Sequence, residues 1–376
     1  MVKKVLAILV CYVLVFTNVY AAERELSCKS ALLMDYGSGK ILYEMNPHEK
    51  LAPASVTKVM TMLLTMEEIA AGRLKYTDIV TASAYAKSMG GSTIFLDEGE
   101  QISVDDLLKG IAVASGNDAC VAIAEHIYGT TDAFVERMNQ RAKQLGMKNT
   151  NFTNCNGLDA PEHYTTAYDI ALMSRELMKH EDIFKYTTIW MDSLRNGEFT
   201  LSNTNKLIRF YKGATGLKTG STSDAGFCIS ATAKRDNLHL IAVIMGAPTS
   251  KERQADASSL LNFGFAKYKN ELNIKKNQSI PDVKIIKGTK NYAKAVCLSD
   301  VSVLMEKDSS HEVELKYNLK KNLKAPIRKG ELAGEAICMI DGKPAGKTDI
   351  VFSENVPKVN LTYSYGKFID VWLGNS

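Results

Sequence analysis

Apolar, β-prone runs stand at both ends of the first two-thirds of the chain. Ala31–Met34 and Lys40–Tyr43 flank the turn Asp35-Tyr36-Gly37-Ser38-Gly39, and Gly226–Ala233 and Leu238–Met245 flank Lys234-Arg235-Asp236-Asn237. Each pair reads as a β-hairpin. Helical patterns lie between them, at Val56–Ala71, Val104–Ala114, Ala119–Ile127 and Ala167–Met178, and Ser258–Lys267 closes the region. The first of these is rich in Met and Leu and follows Pro53, a residue tolerated at a helix start but not in its middle. Strands so far apart in sequence can bury their apolar faces only by joining one antiparallel sheet covered by helices, an α+β arrangement.

The texture changes near Asn273. Short alternating runs follow at Val283–Ile286, Lys294–Met305, His311–Tyr317, Ala336–Ile340 and Thr348–Phe352, separated by turns rich in Gly, Lys and Asn. They read as a small all-β domain. The division expected is 1–21 as a signal segment, 22–274 as the main domain, 275–360 as the all-β domain and 361–376 as a tail. The tail carries Leu361, Tyr365, Phe368, Ile369, Trp372 and Leu373 at near-helical spacing, a pattern suited to peripheral contact with a membrane interface or to a packed terminus.

Lys3 and Lys4, the apolar run Val5–Val15 and the small-residue pattern of Val19 and Ala21 read as a secretory signal cleaved before Ala22, so the protein is expected outside the cytoplasm, at the cell wall or the outer face of the membrane. The net charge of +4 comes from 46 basic and 42 acidic residues, and loss of Lys3 and Lys4 leaves +2. From Lys275 onward 17 basic and 12 acidic residues give +5, so the rest of the mature chain stands at −3. Nothing in that balance points to nucleic acid. Once Cys11 leaves with the signal, Cys28, Cys120, Cys155, Cys228, Cys297 and Cys338 remain, scattered without a CxxC or Cys/His spacing. Free thiols are expected, with no metal and no cofactor.

Three short motifs carry chemistry. Ser55-Val56-Thr57-Lys58 opens the apolar helix, and its i, i+3 spacing puts a hydroxyl and an amine on one helical face. That pair suits a serine nucleophile with a lysine base, provided burial and a second cation lower the lysine pKa. Ser115-Gly116-Asn117 falls between two helix candidates, and Lys218-Thr219-Gly220 precedes the strand that begins near Gly226. Each motif alone is commonplace, as a helix cap, a loop or a strand lead-in. The ordered set S-x-x-K, S-x-N, K-T-G is that of penicillin-binding proteins and class A β-lactamases.

The chain resembles the low-molecular-mass penicillin-binding proteins, serine D-alanyl-D-alanine carboxypeptidases. The resemblance runs through Pro53–Thr61, Gly90-Gly91-Ser92, Ser115–Ala119, His163–Ala167, Asn203-Thr204-Asn205, Gly213–Gly220 and Ala325–Gly330. It implies a β-lactamase/transpeptidase-like domain, an antiparallel sheet flanked by helices, followed by the small all-β domain. It implies catalysis by Ser55, Lys58 and Ser115: attack on the penultimate D-Ala carbonyl of a peptidoglycan stem peptide, general-base assistance, and a proton relay to the leaving D-Ala. Asn117 would hold the substrate amide or Lys58. Lys218, Thr219, Gly220 and Ser221 would bind substrate, with the terminal carboxylate on Lys218 and Thr219 and the oxyanion on the backbone N–H groups of Ser55 and Ser221. β-Lactam antibiotics would acylate Ser55.

A β-lactamase or D,D-endopeptidase using the same site, or a penicillin-binding sensor without turnover, stays open, although Cys120–Leu217 contains no E-x-x-L-N loop of the lactamase kind. Outside the motifs, Arg253 reads as a solvated surface residue, His163 as structural, and Met60, Met62 and Met66 as core packing.

Overall fold

The computed structural model describes residues 25–373; the expected signal segment lies outside the described residues. Both expected hairpins form. Strands β1 (Ser30–Asp35), β2 (Ile41–Met45), β3 (Ala214–Thr222), β4 (Gly226–Arg235) and β5 (Leu238–Ala247) make one antiparallel sheet in the order β2-β1-β5-β4-β3. The register Leu32↔Val243 joins the two ends of the region through the middle of the sheet.

Alternation along the strands divides the core in two. Leu32, Met34, Ile241, Val243 and Met245 face one buried cluster, and Ala31, Leu33, Leu240, Ala242 and Ile244 face another. Both faces are covered, so the strands read as nearly unbroken apolar runs. Helix α1 (Lys58–Ala70) lies in the larger cluster with α2 (Val104–Lys109), α3 (Asn117–Tyr128), α4 (Thr131–Gln144) and α5 (Ala167–Leu177), while α6 (Ser250–Lys267) packs on the opposite face. Met60, Met62 and Met66 are buried in α1, as core packing requires. A helix apolar on nearly every side can only be a central one.

Several elements differ from the sequence reading. Lys218-Thr219-Gly220 is not a lead-in: it lies inside β3, the edge strand, paired as Lys218↔Ser230 and Thr219↔Ile229. Helix α6 begins at Ser250, eight residues early, because Thr249 caps it by accepting from the Glu252 N–H, and its polar first turns hid the start. Helix α4 was not anticipated; only Phe134, Met138 and Ala142 of its residues are buried.

The all-β part holds β6 (Tyr268–Ile274), β7 (Ala295–Cys297), β8 (Val301–Glu306), β9 (Val313–Leu319), β10 (Leu332–Ile340) and β11 (Lys343–Phe352). β6 pairs with β8, and the other four form a sheet in the order β7-β11-β10-β9. The change of texture near Asn273 thus falls within a strand. The tail forms helix α7 (Leu361–Trp372). All six described cysteines are buried free thiols.

Two buried histidines tie the helical layer to its surroundings. Thr153 N–H donates to His163 Nδ1 (2.9 Å), which leaves Nε2 to donate to Thr57 Oγ1 at 2.8 Å. His239 lies between Tyr36 and Phe184, with Nε2 2.9 Å from Thr215 Oγ1. Burial pushes both imidazoles down to about 4 from 6.5. The folded chain therefore refuses protons that the unfolded chain accepts, and stability present above pH 6.5 is lost as pH falls toward 4. Each histidine accounts for up to about 3 kcal/mol of that loss. The melting temperature should fall over this interval, and less steeply in a His163→Gln/His239→Gln variant; an unchanged slope would remove both histidines as the cause.

Candidate active site

Ser55 sits in the 3-10 turn Ala54–Thr57 that leads into α1, with Pro53 in front and Ala54 at φ +47°. The turn is set between two backbones. A Cβ on Gly157 would fall 2.0 Å from the Ala54 carbonyl oxygen, and one on Gly220 would fall 2.7 Å from the Ser55 nitrogen. Only glycine lets β3 lie this close to the Ser55 N–H, which brings the next residue of the strand, the exposed Ser221, beside the hydroxyl-bearing turn.

Lys58 is fully buried. Its Nζ lies 3.0 Å from Ser55 Oγ, 2.6 Å from Asn117 Oδ1 and 2.5 Å from the Asn156 carbonyl oxygen. Asn117 is oriented by its own Nδ2, which donates to the Gly90 carbonyl at 2.7 Å, so its oxygen must face the lysine. Both of those oxygens can only accept. A neutral Lys58 amine gives one N–H to each and is left with its lone pair toward the Ser55 hydroxyl. Burial lowers the Lys58 pKa, against a weaker opposing pull from Cys120, Cys155 and Asp118. Burial therefore favours the form of lysine that can take a proton from serine, and the two acceptors orient its lone pair toward the hydroxyl.

Lys218 is also buried, and its Nζ donates to the Thr219 carbonyl at 2.8 Å. Burial first, and the nearby Lys58 second, hold its pKa well below the ordinary lysine value. Two buried amines that repel each other do not both stay protonated at little cost. Thr219 Oγ1 is 2.7 Å from Thr204 Oγ1, which fixes its hydroxyl at the strand edge. Ser115 is buried at the end of a π-helical turn, Gly110–Ala114, in the left-handed conformation (φ 64°, ψ 31°), and Asn117 opens α3 two residues later. Ser55, Lys58 and Asn117 are joined by direct contacts, Lys218 through its field, and Gly220 by backbone packing.

Some participants escaped sequence reasoning. Arg253 is not a solvated residue: it is 4% exposed, donates to the Gly220 carbonyl at 3.3 Å and lies over the Phe227 ring. Burial pushes its pKa down to about 10, so it still carries a positive charge behind β3 at neutral pH. The Asn156 carbonyl is the other, while Thr204, already part of the Asn203-Thr204-Asn205 motif, gains its contact with Thr219 only in the fold. Arg253 sits in a hydrophilic helical turn and Asn156 acts through its backbone, so neither had a side-chain pattern to betray it.

A model of the D-alanyl-D-alanine carboxypeptidases, peptidase S11, matches residues 17–249, and one of the C-terminal domain of penicillin-binding protein 5 matches 268–358. The chain is 43% identical to the D-alanyl-D-alanine carboxypeptidase DacF of Bacillus subtilis (strain 168), over 90% of this chain and 88% of that protein. Penicillin-binding protein 5 from Haemophilus influenzae superposes with a TM-score of 0.72 at 35% identity, covering 89% of this chain and 98% of that one. The ampicillin-bound form of penicillin-binding protein D2 from Listeria monocytogenes superposes with a TM-score of 0.56 at 29% identity, covering 66% and 98%.

The packing at Gly220 yields a direct test. Gly220→Ala should push β3 away from the Ser55 turn, slow acylation of Ser55 by a fluorescent penicillin at least about tenfold and cost about 1–3 kcal/mol in a thermal melt. Unchanged labelling would mean that the strand need not touch the turn.

Proposed function

The chain belongs to the peptidase S11 family of serine-type D-alanyl-D-alanine carboxypeptidases, and from that premise we propose which of its residues carry the reaction and how. The arrangement of Lys58 between two acceptors and one hydroxyl supports the reading most strongly. Ser55 Oγ attacks the carbonyl carbon of the penultimate D-Ala as its proton passes to Lys58 Nζ. The oxygen of the tetrahedral intermediate takes hydrogen bonds from the backbone N–H groups of Ser55 and Ser221, at the turn where Gly220 admits the strand. The C–N bond breaks, and Lys58 returns the proton to the departing D-Ala amine through the Ser115 hydroxyl. Water then attacks the ester, gives its proton back along the same route and frees Ser55.

The terminal carboxylate sits against Lys218 and Thr219, with the Arg253 charge behind the strand. A substrate carboxylate there also restores to Lys218 the proton that its surroundings resist, which leaves Lys58 as the neutral amine. β-Lactams, which present a carboxylate and a strained amide, enter by the same steps and acylate Ser55.

Helix α7 supports a further assignment, peripheral attachment to the outer face of the membrane. Leu361, Phe368 and Trp372 are 90%, 68% and 80% exposed, an apolar series that water disfavours. No helix among the described residues is long and apolar enough to cross a membrane. Residues 22–360 without the helix should stay in the supernatant with anionic vesicles that sediment the mature full chain; equal sedimentation would remove the helix from this role.

Ser55→Ala should abolish both D-Ala release from a peptide ending in D-Ala-D-Ala and labelling by penicillin, and surviving label would strike out Ser55 as nucleophile. Lys218→Ala should lower kcat/KM on that peptide by about 2–3 kcal/mol, roughly 30- to 160-fold, and far less on an analogue whose terminal carboxylate is an amide. Equal losses on the two would remove the carboxylate from Lys218.

A further inference from the structure

His163 and Thr57 form a one-way chain of hydrogen bonds that ends on the turn carrying Ser55. Its sense is set by the first donor. The Thr153 N–H gives its hydrogen to His163 Nδ1 at 2.9 Å, and the Thr153 hydroxyl lies 3.2 Å from the same nitrogen. Burial pushes the His163 pKa down to about 4, so at neutral pH the imidazole is uncharged and its single hydrogen is on Nε2. Nε2 donates to Thr57 Oγ1 at 2.8 Å, and the Thr57 hydroxyl passes its own hydrogen onward to the Ala54 carbonyl, also at 2.8 Å. Thr57, His163 and Ala54 are all buried.

The Ala54 carbonyl belongs to the peptide unit whose other end is the Ser55 N–H. That peptide is trans, so its oxygen and its hydrogen point in opposite directions, and holding the one aims the other. Ala54 takes φ +47°, in the left-handed region that residues other than glycine rarely enter. The backbone of Gly157 lies so close on the far side that a Cβ there would fall 2.0 Å from the Ala54 oxygen and 2.9 Å from the Ser55 nitrogen. Hydrogen bonds in series also polarise one another: a donor on the oxygen draws charge through the peptide and makes its N–H a stronger donor. A threonine in a helical turn often bonds back to its own turn, but such a bond needs no buried histidine behind it. Here the segment that supplies the Thr153 N–H also returns the Cys155 carbonyl to Thr61 and the Asn156 carbonyl to Lys58, so one loop fixes both the base and the peptide.

We propose that His163 and Thr57 are positioning residues of the oxyanion hole: they hold and polarise the Ala54–Ser55 peptide so that the Ser55 N–H meets the oxygen that becomes negative in the transition state. The proposal rests on the oxyanion role assigned to that N–H above. Neither side chain touches the substrate. Their effect falls on the charge that develops during attack and hardly at all on binding before it, because the ground-state carbonyl asks less of the donor than the oxyanion does.

The test uses the mature full chain and follows a fluorescent penicillin over a range of concentrations, which separates its reversible binding from the acylation of Ser55. A pair of acylated D-Ala-D-lactate esters, one with the scissile C=O and one with C=S in its place, adds a second readout, since sulfur accepts hydrogen bonds poorly and gains little from the hole. Thr57→Val keeps the shape and removes the hydroxyl. Its acylation rate constant should fall about tenfold with the binding constant unchanged, and the ratio of oxo to thiono rates should shrink by a similar factor. Thr57→Ser should restore both. His163→Phe keeps a ring and removes both nitrogens; it should shrink the ratio about threefold, and the double variant should be no slower than Thr57→Val, because the histidine acts through the threonine. Equal losses on the two esters would overturn the proposal and leave Thr57 only the seating of Ser55. So would a Thr57→Val that melts lower but is acylated at the wild-type rate. If Thr57→Val does not fold, the ratio in His163→Phe decides, and an unchanged one overturns the proposal. A wild type that is acylated by penicillin yet releases no D-Ala from a D-Ala-D-Ala peptide would strike the carboxypeptidase mechanism, while a shrunken ratio in the variants would still uphold the positioning role.

Discussion

The site depends on placing a lysine amine where water cannot reach it. A charged Lys58 in this position would lose its hydration, and the oxygens of Asn117 and Asn156 replace only part of it. The neutral amine suits the same surroundings well, since two N–H groups find two acceptors and the lone pair is left for the serine. Burial thus lowers the Lys58 pKa and favours the unprotonated amine, the form able to accept a proton. The two acceptors fix where the amine points, which is the role of a side chain and a backbone carbonyl from distant parts of the chain converging on one nitrogen.

Much of the fold serves that placement. Helix α1 is buried nearly all round, so its first turn is presented at a fixed point against the edge strand. Close approach is then secured by Gly157 and Gly220, which leave no side chain between the Ser55 turn and its neighbours. Positive charge is distributed by distance: Lys218 lies close enough to act on Lys58, while Arg253 sits behind the strand, bonded to the Gly220 carbonyl. Next to Asn117, the buried Asp118 carboxylate extends the same rigidity outward by accepting from the Ile94 and Leu96 N–H groups.

Legibility varied with the kind of signal. The two hairpins and helix α1 were plain because their apolar runs are long and both faces of the sheet are buried. Helix α4 was missed because only Phe134, Met138 and Ala142 turn inward, too few to stand out. The assignment of Lys218-Thr219-Gly220 to a lead-in failed for a related reason: a polar triplet in an edge strand lacks the β-branched signature of a central one. Ser55, Lys58, Ser115, Asn117 and Lys218 were found as types in order, but Arg253 was mistaken for a surface residue because its buried position comes from the packing of α6 on β4.

The sequence by itself determined which chemistry was available. A serine and a lysine one helical turn apart, a second serine with an asparagine, and a lysine in a K-T-G triplet are covalent facts, and the i, i+3 spacing ensures that the first two meet wherever the helix forms. Only the tertiary structure decided which lysine has two acceptors and a hydroxyl, and which stands as its neighbouring cation. Those properties arise from desolvation and from contacts between residues far apart in the chain, such as Lys58 with Asn117 and Asn156. Local pattern carries no record of such distances.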